Sequence, residues 1–282
     1  MTSAIAQPTD HVERRGRRPR EDDRDSLLGA AIASEWTKLR SVPSTLYTLG
    51  ATIAITVGLG ALLTWAFVHR FDRLGLAERA SFDATAHSVR GVFLAQLAIG
   101  VLGVLVISAE YTTGLIRPTF TTMPQRRTVL AAKTIVFGGV ALVVAAISCF
   151  AAFTVGQAVL SSKHLNVALS DPGVFRAVCG ATIYLVFIGL LGLGLGTIVR
   201  RTAGAIASLF GVILVLPLLA LALPSPWNTD VSKLLPGEAG QALMLVHHDP
   251  DFLSPGMGLL VCAVWLAVTY ILATILLTRR DA

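Results

Sequence analysis

Few residues of this 282-residue chain could do chemistry, and most of them are gathered in one place. The stretch Glu110 to Arg127, EYTTGLIRPTFTTMPQRR, sets a carboxylate, a tyrosine, several threonines and three arginines between two long apolar runs. Elsewhere the candidates thin out. The glycine-rich run from Gly189 to Gly196 contains no lysine, so there is no G-x-x-x-x-G-K-[ST] cradle for a nucleotide phosphate. His247, His248, Asp249 and Asp251 are close in sequence, but adjacent histidines do not readily aim at one ion, and no further ligand follows at a zinc spacing. His69, His87, His164, His247 and His248 fall in loops without a repeated His-x-x-x-His pattern. Cys149, Cys179 and Cys262 are odd in number, far apart and set in apolar runs, which suits buried small hydrophobes better than disulfides or metal ligands. The expectation is a chain that is not itself an enzyme, with no catalytic, metal or cofactor residues.

The elements that must position Glu110 to Arg127 follow from composition. Hydrophobic residues make up 54% of the chain and charged residues 14%, against roughly a quarter charged in an ordinary soluble domain. A surface this apolar needs a bilayer as solvent. Windows of roughly 20 apolar residues predict six spans near 45–68, 89–109, 131–160, 174–199, 203–223 and 256–278. The fold class is therefore all-α, a polytopic bundle of six transmembrane helices. The third run exceeds one hydrocarbon thickness and should tilt or project. Pro217 should kink the fifth helix. Gln96 and Gln157, the clearest polar side chains within the spans, are expected to hydrogen-bond from helix to helix.

Residues 1–26 are polar and rich in Arg, Asp and Glu, and are expected to form a disordered tail. They do not read as a secretory signal, because the first long apolar stretch begins beyond residue 40. The arginine run lacks interleaved aromatics, so nucleic acid is not an expected partner. Residues 27–282 form the membrane domain, opened by an amphipathic elbow helix at 27–41. There Leu28, Ile32, Trp36 and Leu39 recur on one stripe, while Glu35, Lys38 and Arg40 lie mostly off it. Pro43 then turns the chain.

With six spans both ends share a side, and that side holds 16 of the Lys and Arg residues against 7 on the other. The positive-inside rule makes it the cytoplasmic side, so both termini and the 110–127 segment are expected in the cytoplasm of a plasma-membrane protein. Gly192 and Gly196 in the fourth span, and Ala203, Ala207 and Gly211 in the fifth, repeat small residues every four positions. Such stripes let helices approach closely, within the protomer or between protomers. The outer connection 224–255 carries five prolines and is expected to be a solvated loop with one short helix.

On charge alone the 110–127 stretch is a basic cytoplasmic loop; its apolar-and-polar mixture also suits a short helix gripped by a soluble partner. At these residues the sequence resembles a family. Glu110-Tyr111, Gly114-Leu115-Ile116-Arg117, Pro124-Gln125-Arg126-Arg127 and Ala132-Lys133 look like the cytoplasmic signature of ABC-2-type transporter permeases, and Glu35-Trp36-Thr37-Lys38-Leu39-Arg40-Ser41 resembles the elbow opening of actinobacterial members. The resemblance covers nearly the whole chain after residue 27. It departs at Leu115, where many relatives carry threonine, and in the long connection between spans five and six.

The resemblance implies a permease that pairs with a second copy or homologue in the bilayer and works with a separate ABC ATPase subunit. ATP and Mg belong to that partner. Glu110, Tyr111, Gly114, Leu115, Arg117, Pro124, Arg126 and Arg127 would form the ATPase-coupling element, Glu110 and the helix after it sitting in a groove of the ATPase. Glu35, Trp36, Lys38 and Arg40 would mark the elbow. A hydrophobic or amphipathic substrate would be exported. Because Glu110 closes a helix C-terminus, where the dipole opposes it, a cationic partner is expected, either Arg117, Arg126 or Arg127 or a group on the ATPase. The alternative is a non-transporting membrane anchor or sensor. A secondary transporter is disfavoured because the spans hold almost no ionisable residues.

Overall fold

The computed structural model describes residues 21–80, 82–114, 125–246 and 252–279. Among them the chain is helical without strands. Six helices are long and apolar enough to cross a membrane, and the architecture fits a polytopic membrane protein. Their bounds are Pro43–Arg70, Val92–Thr112, Arg126–Leu160, Val174–Val199, Thr202–Leu221 and Pro255–Arg279, here numbered spans one to six. Large apolar side chains such as Leu62, Ile135, Val143, Leu218 and Ile271 stand more than half exposed, a surface that suits acyl chains and not water.

Span four is the centre of the bundle, with 72% of its apolar window buried, whereas spans one, five and six are mostly exposed. It crosses span two at a seam of glycines. A Cβ on Gly103 would overlap the Gly189 carbonyl, and one on Gly192 would overlap the Gly100 carbonyl. Gly196 meets Ile107 and Val104 of the same neighbour. Without lipid-exclusion forces between helices, this close backbone approach supplies the dispersion that holds the pair. Ala207 and Gly211 do not join any such seam. Ala207 is exposed and nothing lies within 4 Å of a Cβ on Gly211, because span five turns Ala205, Leu209 and Ile213 inward. Within the protomer, the expectation of packing at that stripe is corrected.

Gln96 and Gln157 both bridge helices. Tyr184 of span four donates its hydroxyl proton to Gln96 Oε1 of span two. Gln157 of span three donates to Ser88 Oγ (3.1 Å) and accepts from the Val167 amide (2.8 Å). Span three has 35 residues, about 52 Å of helix at 1.5 Å per residue, and so projects beyond a core of about 30 Å. In span five a π-type turn at Gly211–Val215 precedes Pro217, re-routing the backbone ladder where proline removes its donor.

The connection between spans five and six differs from the solvated loop expected. It holds two helices, Trp227–Lys233 and Pro236–Met244, and the second is wedged between spans four and six with Ala239, Gly240, Ala242, Leu243 and Met244 buried. Trp265, ten residues into span six and so about 15 Å deep, donates to the Leu234 carbonyl at 3.0 Å. The segment therefore runs down alongside span six and climbs back. Gly240 makes this possible, since any Cβ there would overlap the Tyr184 ring. Small residues in the LPGEAGQALM run, and not its prolines, decide the outcome. The expected His247, His248, Asp249 and Asp251 cluster lies outside the described residues.

At the same end of the bundle, Asp83 accepts from the amides of Thr85 and Ala86 (both 2.9 Å) and from Val246 (2.9 Å), tying the first connection to the last. His87 packs there against Phe67 and Phe82, with ring centroids 4.5 and 4.8 Å away. Burial, helped by the charge of Arg90 and opposed by Asp83, lowers its pKa to about 4. A neutral imidazole in the fold and an ordinary one in the unfolded chain mean that the unfolded state binds more protons at acid pH. Stability from this site is thus full above about 6.5 and is lost as pH falls toward 4. Amide protection over residues 84–91, taken relative to the intrinsic exchange rate at each pH, is expected to fall as pH drops across that window in the wild type, and His87→Phe is expected to flatten the dependence.

Candidate functional site

The site is built at the opposite end, where three helix ends meet. A helix runs Glu21–Ser41, covering the stretch expected as the elbow and called so below, and it begins inside the stretch expected as a tail. Residues 1–20 of that tail lie outside the described residues. The elbow ends at Ser41; Val42 is extended (φ −95°, ψ 107°) and Pro43 opens span one, its fixed φ suited to a first turn. The elbow packs on span three through Ala31 and Glu35, while Trp36 stands 50% exposed.

Glu35 is thus turned into the protein, and it meets three other charges. Lys133 Nζ donates to Glu35 Oε2 at 2.5 Å and to Glu110 Oε1 at 3.0 Å. Lys38 Nζ donates to Glu35 Oε1 at 2.8 Å and to Glu110 Oε1 at 3.0 Å. Two carboxylates and two ammonium groups alternate in a closed, neutral ring contributed by the elbow, the end of span two and the start of span three. Lys133 is 2% exposed, Glu35 6% and Glu110 8%. Lys38 alone faces outward, its side chain 40% exposed. Burial would lower its pKa, but its hydrogen bonds and charge contacts with Glu35 and Glu110 outweigh that and hold it above the ordinary lysine value. Glu110 Oε2 is buried without a hydrogen-bond partner.

The ring corrects the partner expected for Glu110. Among the described residues its ion-pair partners are Lys38 and Lys133, neither Arg126 nor Arg127. Glu110 faces the protein's own interior within this chain. Arg126 does something else: its Nη1 donates to the Leu277 carbonyl at 2.9 Å, and Arg200 Nη2 donates to the Leu276 carbonyl at 3.1 Å. The last carbonyls of a helix have no intrahelical donors, and two guanidinium groups supply them here, their charge matched to the negative end of span six. Arg200 also stacks over Tyr111, 5.4 Å from its centroid. The elbow and the end of span six therefore lie at one end of the bundle.

Gly114 follows span two with φ +73°, the left-handed conformation that ends a helix and that glycine adopts without strain. Gly114, Arg127, Arg40 and Trp36 are exposed around the ring. Leu115, Arg117 and Pro124 lie outside the described residues. Lys133 was named in the sequence only as part of a motif and as one basic residue of a connection. Its role rests on a partner 98 positions away, which no local spacing signals. An open cavity of about 420 Å³ adjoins the ring between the elbow, span one and span two.

No protein-family model matches the chain, and no match is found among the curated proteins. The fold and site together define an all-helical protein with six helices able to span a membrane, whose elbow helix is locked by charge to the two helix ends that flank residues 113–125.

Proposed function

We propose that this chain is the membrane-spanning permease subunit of an ATP-binding-cassette transporter of the ABC-2 type. It sits in the plasma membrane with both termini in the cytoplasm, pairs with a second permease copy or homologue, and exports a hydrophobic or amphipathic substrate. A separate ATPase subunit binds ATP and Mg and docks on the segment from Glu110 to Arg127.

The observation that carries this reading is the charge ring. A segment joining two membrane helices need not be tied to a third helix in the headgroup plane. Here both of its flanks are tied to the elbow, through Glu110 on one side and Lys133 on the other. A force applied to residues 113–125 cannot move span two without also moving span three and the elbow. That is the mechanical property a coupling element needs, because a partner's motion is then delivered to several helices at once. In this arrangement the exposed Gly114 and Arg127 offer the contact surface, while Glu110 and Lys133 transmit the motion.

Reversing the exposed charge tests the docking. Arg127→Glu is expected to lower capture of the ATPase from solubilised membranes by about tenfold or more, since like charges brought together across an interface cost several kcal/mol. The amount of inserted permease should not change. Equal capture by the variant and the wild type would remove Arg127 from the docking surface.

A further inference from the structure

The end of span six gathers more positive charge than the capping of its carbonyls requires. Arg126 and Arg200 reach the Leu277 and Leu276 carbonyls from spans three and four. Each is followed in sequence by a second arginine, Arg127 and Arg201, and both of these are exposed. Arg279, in the last turn of span six, is exposed as well. Among the described side chains the carboxylates at this end are Glu35 and Glu110, and Lys38 and Lys133 already match them within the ring. Beyond Glu110 the acids up to Arg279 fall in the connections between spans three and four and between spans five and six, which open at the opposite end. Arg280 and Asp281 lie outside the described residues. A general bias of cations to one side of the membrane does not require arginines from three connected elements to converge on one helix end. The surface that continues from Arg279 along span six is apolar. Ile275, Leu272, Ile271 and Val268 precede Arg279 by four, seven, eight and eleven positions, which places them on its face of the helix, and all four are exposed. That strip is about 16 Å long, about half of a hydrocarbon core of about 30 Å. An occupant that satisfies both parts is anionic at one end and apolar along the other. A soluble protein would answer the arginines but not the strip.

We propose that the end of span six binds an anionic phospholipid, of the phosphatidylglycerol type, from the leaflet in which the elbow lies. Arg201 and Arg279 hold the phosphodiester, their planar guanidinium forks offering paired N–H donors to its oxygens. One acyl chain runs along the strip from Ile275 to Val268. Net charge selects the headgroup. A zwitterionic lipid presents the same phosphate but carries a cation of its own into a region already rich in them, whereas an anionic lipid brings only the opposite charge. Arg126 and Arg200 are positioning residues, because they fix the end of span six on which the lipid rests. The site rests on the placement of the six spans in a bilayer and does not depend on an ATPase partner.

Native mass spectrometry of the detergent-purified full-length chain tests this, with phosphatidylglycerol and phosphatidylcholine of matched acyl chains titrated separately. The glycerol lipid is expected to bind about tenfold or more tightly than the choline lipid. Arg201→Gln and Arg279→Gln are each expected to cut that preference about fivefold, which is about 1 kcal/mol per arginine, and together to remove it. The double variant Arg201→Lys with Arg279→Lys keeps the charge and is expected to keep the preference, which separates loss of charge from loss of fold. Arg40→Gln takes one exposed cation from the elbow instead and is expected to leave the preference unchanged. Equal binding of the two lipids by the wild type would overturn the proposal, as would a preference that survives the double glutamine variant. A loss in Arg40→Gln as large as in Arg279→Gln would assign the effect to the charge of the whole face and overturn the site. Displacement of the glycerol lipid by inorganic phosphate would overturn the role of the apolar strip. Because no ATPase is present, none of these outcomes bears on the coupling role of the 110–127 segment.

Discussion

Lys133→Met is expected to destabilise the protein more than the loss of any other polar side chain. Lys133 is buried at 2% exposure and donates to both carboxylates of the ring. Removing it leaves Glu35 and Glu110 facing one another with only the half-exposed Lys38 between them. Breaking a buried pair by deleting one partner costs about 3–5 kcal/mol, because the surviving charge stays buried without compensation. The measurement is thermal unfolding of the detergent-purified protein together with the yield of inserted chain. The double variant Lys133→Met with Glu35→Gln is expected to lose less than the sum of the two single losses, since the second change removes the carboxylate that the first stranded. A simple exchange, Glu110→Lys with Lys133→Glu, is not expected to rescue. It keeps the contact between those two positions favourable but sets Lys38 against a cation and Glu35 against a carboxylate. Additive losses in the double variant would show that the four groups do not act as one unit.

The second large effect lies at the crossing of spans two and four. Gly103→Leu would drive a side chain into the Gly189 carbonyl, and the obstacle is backbone, which has no rotamer with which to give way. Overpacking a well-packed core with flexible neighbours costs about 1–3 kcal/mol; here the two central helices must separate, and the cost is expected at or above the top of that range. Gly139→Leu is the control. It adds the same bulk to span three at a position with nothing within 4 Å of its Cβ, and is expected to leave stability within about 0.5 kcal/mol. Comparable melting of the two variants would show that the seam does not hold the bundle together.

Sequence and structure agree where the signal is local and long. Six apolar windows become six helices with ends shifted by a few residues, because length and hydropathy alone decide whether a helix can cross a bilayer. Gln96 and Gln157 were readable as bridges because an amide among apolar side chains must find a partner. Agreement fails where the deciding contact is distant. Glu35 looked like part of a polar face on the elbow, yet it is the face that packs, and only Glu110 and Lys133 explain why. The outer connection looked solvated by its prolines, but its helix Pro236–Met244 presents small residues to Tyr184 and span six. Ala207 and Gly211 share the spacing of Gly192 and Gly196. Spacing cannot say which face of a helix meets a neighbour: Ala207 is exposed, and nothing lies within 4 Å of a Cβ on Gly211.

Affinity purification of the chain from its native membrane, in a detergent that preserves membrane complexes, followed by mass spectrometry of what accompanies it, tests the permease assignment most directly. The expected result is an ATP-binding-cassette ATPase in stoichiometric amount, recovered with wild type and depleted with Arg127→Glu. A clean preparation without an ATPase, under conditions in which other membrane complexes survive, would contradict the assignment and favour a membrane anchor or sensor.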